Sequence, residues 1–145
     1  MKTLFITALL TIAVVTGSFA TPTKVNSAIL ANFNLNFRGA SNVTWVVTND
    51  YTKAAFTTAN TKMEVYYNSH GDVIATSKGI TLDELPVEAK RSFAKRFDGY
   101  NVIEAIKFEG FDEMSYYISG ENDQESVILK VNDQNVVSVF DRRKK

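Results

Sequence analysis

Few residues in this chain are of the kinds that do chemistry, and their spacing limits what they can do. The single histidine, His70, lies in Asn68-Ser69-His70-Gly71-Asp72, a run of turn-forming residues. A catalytic imidazole works between a nucleophile and an orienting acid, and no nucleophile motif accompanies this one, so His70 is expected to sit in a hairpin turn. With one histidine and no cysteine the chain cannot build a multi-histidine or thiolate metal centre, a cysteine nucleophile or a disulfide scaffold. Acids cluster at Asp83-Glu84, Asp112-Glu113 and Glu121-Asn122-Asp123-Gln124-Glu125. Glu121, Asp123 and Glu125 offer oxygens of the type calcium takes, but they lack the spacing of a twelve-residue calcium loop and its central glycine. They are expected to form a solvated turn, with calcium the only ion worth considering and no other cofactor. A glycosidase pair needs two carboxylates at a defined separation in a cleft, and nothing in the sequence positions one. Asn42-Val43-Thr44 fits a glycosylation sequon and also reads as the entry to a strand.

Aromatic residues are the other candidates. Trp45, Tyr67 and Tyr116 fall in the apolar phase of their segments and are expected in the core. Tyr66 and Tyr117 fall in the opposite phase, with Thr44, Thr57, Glu64, Lys107, Ser115 and Lys130. That phase should form an uncovered sheet face, where exposed tyrosines supply contact area with few rotors. Tyr51 and Phe111 fall at hairpin tips and are the obvious side chains for a protruding contact.

The elements that must position these residues come in two copies. Val25, Ile29, Phe33 and Phe37, and sixty residues on Leu85, Ala89, Phe93 and Phe97, place apolar residues at four-residue steps on one helical stripe. Pro86 suits the first turn of the second helix, Thr81 with Glu84 can cap a short turn before it, and Gly39 and Gly99 are expected as left-handed stops. After each glycine the period changes to two. Val43-Trp45-Val47, Ala54-Phe56, Met63-Val65-Tyr67 and Val73-Ala75 read as four half-buried antiparallel strands. Ile106-Phe108, Met114-Tyr116-Ile118, Val127-Leu129-Val131 and Val136-Phe140 repeat them. The register after Gly99 stays open between an offset of 60, pairing Trp45 with Ala105, and one of 59; a one-residue slip exchanges the faces.

Composition agrees with one globular domain: 145 residues, 45% hydrophobic and 22% charged. Lys+Arg and Asp+Glu both number 16, which argues against a nucleic-acid partner. Residues 1–20 read as a secretory signal peptide: Lys2, an apolar run from Leu4 to Val15, then Ser18-Phe19-Ala20 with small residues where a signal peptidase reads. The run is too short to span a bilayer. Cleavage after Ala20 leaves a domain of residues 21–145, with repeats at about 24–79 and 80–145, periplasmic or secreted and without a membrane span.

Phe37-Arg-Gly-Ala-Ser-Asn-Val-Thr-Trp45, Tyr51, Phe56 and Glu64-Val-Tyr-Tyr-Asn-Ser-His-Gly-Asp-Val-Ile74, followed by Leu85-Pro-Val-Glu-Ala-Lys-Arg-Ser-Phe-Ala-Lys-Arg-Phe97 with Gly99-Tyr100, resemble the PepSY-like family of small exported bacterial proteins. Those proteins are described as similar to the beta-lactamase-inhibitor protein. The resemblance spans nearly all of residues 21–145. It implies an α+β fold, two tandem α-β-β-β-β repeats forming one antiparallel sheet with two helices packed on one face. It also implies export by a Gram-negative, Bacteroidetes-type bacterium. The family has no established catalytic residues to carry over. The expected function is a non-enzymatic exported binding module that engages a protein or cell-envelope component through the open face or hairpin rim, with Tyr66, Tyr117, Tyr51 and Phe111 as contact residues. A peptidase-inhibitor or propeptide-like role is the alternative, and a hydrolase with an unrecognised carboxylate pair a remote one.

Overall fold

A computed structural model describes residues 24–145; the expected signal peptide lies outside the described residues. The chain forms helix α1 (Ser27–Asn36) and strands β1 (Ser41–Val47), β2 (Thr52–Thr58), β3 (Thr61–Tyr67) and β4 (Val73–Ile80). After a 3-10 turn (Leu82–Glu84) come helix α2 (Val87–Arg96), β5 (Asn101–Gly110), β6 (Met114–Glu121), β7 (Glu125–Val131) and β8 (Val137–Lys144). The strands pair in chain order as one eight-stranded antiparallel sheet. Both helices are ten residues long, and α1, α2, β1 and β5 keep an offset of 60 (Ser27 to Val87, Ser41 to Asn101).

The Asn26 side chain opens α1 by accepting the Ala28 amide at 2.8 Å. Ahead of α2, Glu84 accepts the Thr81 amide at 2.8 Å, the reciprocal half of a capping box. Pro86 stands one position earlier than expected, at the cap with extended backbone, so its missing amide still costs nothing. The amides of Phe37 and Phe97 close the helices onto Phe33 and Phe93. Of the two expected stops Gly99 is left-handed, at φ 82°; Gly39 is not among the positive-φ residues, so it does not stop α1 as expected. The Ala40 amide instead closes a tight turn onto the Phe37 carbonyl at 3.0 Å.

Both helices cover the same face. Ile29 and Phe33 pack on Ala54, Phe56, Val65 and Tyr67, with Phe37 and Trp45 half-buried beside them. Leu85, Ala89 and Phe97 pack on Ala105, Ile118, Leu129, Val131 and Val137, with Phe93 and Tyr116 half-buried. The pairings Ile80–Ala105 and Ala105–Ile118 put Ala105 on the helix side, which is the offset-60 register. The same pairing corrects the reading of β5. Lys107 opposes Lys78 and Tyr116 on the helix side, while Ile106 and Phe108 point to the other face. The physical reason is the gap between α1 and α2. Shallow hollows of about 420 Å³ and 480 Å³ leave Lys78, Glu84, Lys107, Glu109 and Tyr116 of that face open to water, so a lysine is at home there.

Candidate functional site

The helix-free face carries a third apolar cluster: Tyr66, Ala75, Ile106, Phe108 and Tyr117 buried, with Tyr51, Ile74, Ile128 and Phe140 half-buried around them. Tyr66 and Tyr117 do lie on this face, but they are 0% and 1% exposed, so the expectation of two solvent-exposed contact rings is overturned. Side chains roof them. Tyr51 meets Tyr66 edge-on at 5.5 Å and Phe140 meets Tyr117 edge-on at 5.4 Å. Lys53 lies 5.9 Å from the Tyr66 ring centre and Lys130 lies 5.8 Å from that of Tyr117. Strand parity selects a face; it does not say what neighbouring strands lay across it.

Each tyrosine belongs to a Lys–Glu–Tyr group, and the two groups are related by a swap. In the first repeat Lys53 on β2 opposes Tyr66 on β3; in the second Tyr117 on β6 opposes Lys130 on β7. Lys53 pairs with Glu64 at 2.9 Å, and the Tyr66 hydroxyl donates to the other oxygen of Glu64 at 2.8 Å. Lys130 pairs with Glu113, which also accepts from Ser115 at 2.9 Å. The Tyr117 hydroxyl is buried beside Lys130 and Ser115 without meeting either in hydrogen-bond geometry. Burial, then the charge of Glu64, pushes the Tyr66 phenol far up, and burial pushes Tyr117 up too. On the helix side Tyr67 is pushed up to about 12 by burial, with no hydrogen-bond partner for its hydroxyl.

The hydrogen bond from Lys130 holds Glu113 below its usual range, with the Ser115 hydroxyl assisting against burial. A carboxylate depressed in the folded state stabilises the fold fully above its unfolded value, about 4.3. That contribution is lost as pH falls through the lower folded value. The denaturation midpoint is therefore expected to fall below about pH 4.3, and Glu113→Gln to flatten that slope. Equal acid slopes in the two proteins would remove Glu113 from the ledger.

At the rim, Phe111 is 99% exposed in the β5–β6 turn, between Gly110 and Glu113, whose amide and carbonyl close the turn at 2.7 Å. Met114 and Val73 are exposed near the same end, since Ala75 opposes Gly110 across the sheet. Tyr51 is at its expected turn but leans inward onto Tyr66 rather than out. His70 is exposed in the β3–β4 turn, where its amide bonds the Asn68 side chain. Of the acidic loop, Glu121 pairs with Lys145 at 3.0 Å, and Glu125 accepts from Tyr100 and lies 3.6 Å from Arg142. Among the described residues no three acids or histidines converge as a metal site.

No family model and no curated protein matches the sequence. Solved structures share its fold. A protein from Bacteroides eggerthii DSM 20697, provisionally assigned to the periplasm, superposes with TM-score 0.72 at 14% identity over 84% of this chain and 90% of that one. A DUF2874 family protein from Bacteroides ovatus ATCC 8483 gives 0.68 at 17% identity, covering 84% and 89%. A BLIP-like protein from Bacteroides fragilis NCTC 9343 gives 0.65 at 14% identity, covering 84% and 87%. At these identities the likeness is one of fold: the chain has a BLIP-like α+β fold. None of the three descriptions names an enzymatic activity. Among the described residues no helix is long and apolar enough to cross a membrane.

Proposed function

We propose that this protein is an exported, non-enzymatic binding module of PepSY-like type that engages a protein or envelope component at the β5–β6 end of its open face. Phe111 carries the reading. A phenyl ring 99% exposed on a three-residue connection gains nothing for the fold. Its turn is nonetheless pinned, because Glu113 is held by Ser115 and Lys130. A rigid bare aromatic is the kind of group that becomes an anchor when a partner buries it. Tyr66 and Tyr117 act as the packed floor of the same face, with Tyr51 as a roof over Tyr66. Export rests on the pattern of residues 1–20 and on the provisional periplasmic assignment of one structural neighbour.

The test is capture from periplasmic extract with the wild-type protein and Phe111→Ala. The variant is expected to keep its stability within about 0.5 kcal/mol and to weaken the captured partner by about 2 kcal/mol or more. Undiminished capture would remove Phe111 as the anchor. The same protrusion supports the second reading, an inhibitor-like role in which Phe111 enters an apolar pocket of a peptidase. Loss of inhibition in Phe111→Ala separates that role from simple attachment.

A further inference from the structure

An open ladder has two edges, and the two edges here are unlike. β8 carries Asp141, Arg142, Arg143 and Lys144, the charged edge that discourages pairing with another strand. β1 carries Ser-Asn-Val-Thr-Trp-Val-Val, and from Ser41 to Asn49 there is neither a charged residue nor a proline. Its one defence is at the start, where Asn42 takes a positive φ and the register shifts between Ser41 and Thr44.

The bonding pattern fixes what the rest of β1 presents. The Thr48 amide bonds Tyr51 at 2.9 Å. Pairs alternate along an antiparallel ladder, so Val46–Lys53 and Thr44–Ala55 are the bonded pairs and Trp45–Ala54 and Val47–Thr52 are not. The amides and carbonyls of Trp45 and Val47 therefore point away from the sheet. Val43, Trp45 and Val47 are half-buried, and Val43 and Trp45 border the α1 core, so that core ends in an apolar stripe at the edge. Val46, on the open face, is 46% exposed.

We propose that β1 is a homodimer edge: two copies pair β1 to β1, antiparallel about a two-fold axis at Trp45, and join their sheets. Trp45 opposes its own copy, Val43 opposes Val47, and Thr44 opposes Val46. The apolar stripe is symmetric about Trp45, so it meets itself in register. Charge agrees as well. Arg38 precedes one end of β1 and Asp50 follows the other, so antiparallel pairing brings an arginine of each copy toward an aspartate of the other. Two β8 edges would bring arginines and lysines together instead. An isologous contact of this kind closes at two chains. One short strand pair is a small interface, so the dimer is of the transient class.

Sedimentation of the purified protein tests this. The weight-average mass is expected to rise from one chain toward two between micromolar and millimolar concentration. Thr44→Lys with Val46→Lys, both on exposed side chains, places lysine opposite lysine and keeps the protein a single chain. Thr44→Glu with Val46→Glu does the same. An equimolar mixture of the two variants regains association, because each lysine then faces a glutamate. Should one double variant fail to fold, the other reads the same loss of mass by itself. Wild-type protein that stays a single chain through the millimolar range overturns the proposal. So does a lysine variant that associates as wild type does, or a mixture of folded variants that does not associate.

Discussion

Phe33→Ala is expected to destabilise the protein by about 3–5 kcal/mol, the range for a large aromatic removed from a packed core. Phe33 is 4% exposed. Its ring meets Trp45 at 5.1 Å, Phe56 at 5.1 Å and Phe37 at 5.3 Å. It meets rings of α1, β1 and β2 at similar range and so joins the three elements. Small side chains such as Ala54 lie below it, and they cannot expand into the space a lost phenyl leaves. The repeat supplies the control. Phe93 holds the matching place on α2 but is half-buried, stacked on Phe97 at 5.9 Å. Phe93→Ala is therefore expected to cost clearly less than Phe33→Ala. One residue-turn further on the order reverses: Phe97 is 6% exposed and Phe37 is half-buried. Denaturant midpoints of the four alanine variants check this, and equal costs for Phe33 and Phe93 would show that the two helices are seated alike.

The helix stripes were legible because their signal is local. Four-residue steps at Ile29-Phe33 and Leu85-Ala89 need only the helix itself to be read. The alternating strands were legible for the same reason, and the offset of 60 carried the first strand of each repeat onto its counterpart. Non-local facts were not legible. Tyr66 and Tyr117 alternate with apolar neighbours just as exposed residues do, yet Lys53, Tyr51, Lys130 and Phe140 cover them from other strands. Lys107 alternates with Ile106 and Phe108 and so reads as outward; the water it meets lies in the gap between two helices, which no periodicity reports. The Lys–Glu–Tyr groups are not legible either, since Lys53 and Glu64 are eleven residues apart and only the β2–β3 register brings them together. One available signal was the matched occurrence of Lys, Glu and Tyr in the polar phase of both repeats, which a covered face would have to neutralise.

Glu64→Ala is the second change expected to be severe, about 3–5 kcal/mol, because it breaks a buried ion pair from one side. The side chains of Lys53 and Glu64 are only 10% and 16% exposed. The carboxylate serves two donors, the Lys53 ammonium at 2.9 Å and the Tyr66 hydroxyl at 2.8 Å. Its removal takes the carboxylate at 2.9 Å from a buried ammonium and the acceptor at 2.8 Å from a fully buried phenol. Each of those desolvated donors is costly. Replacing the whole group behaves differently. Lys53→Met with Glu64→Leu and Tyr66→Phe keeps the volume on the face and removes the three interacting polar groups together, so its cost is expected to be small or of opposite sign. Comparing the single and triple variants by denaturation therefore separates two roles. A single variant costing several kcal/mol beside a nearly neutral triple variant means that the group fixes the arrangement of the face rather than stabilising the fold. In that case the triple variant should lose partner capture while it stays folded. A single variant costing under about 1 kcal/mol would mean that water reaches the pair in solution, and the roof of Tyr51 over Tyr66 would then have to open.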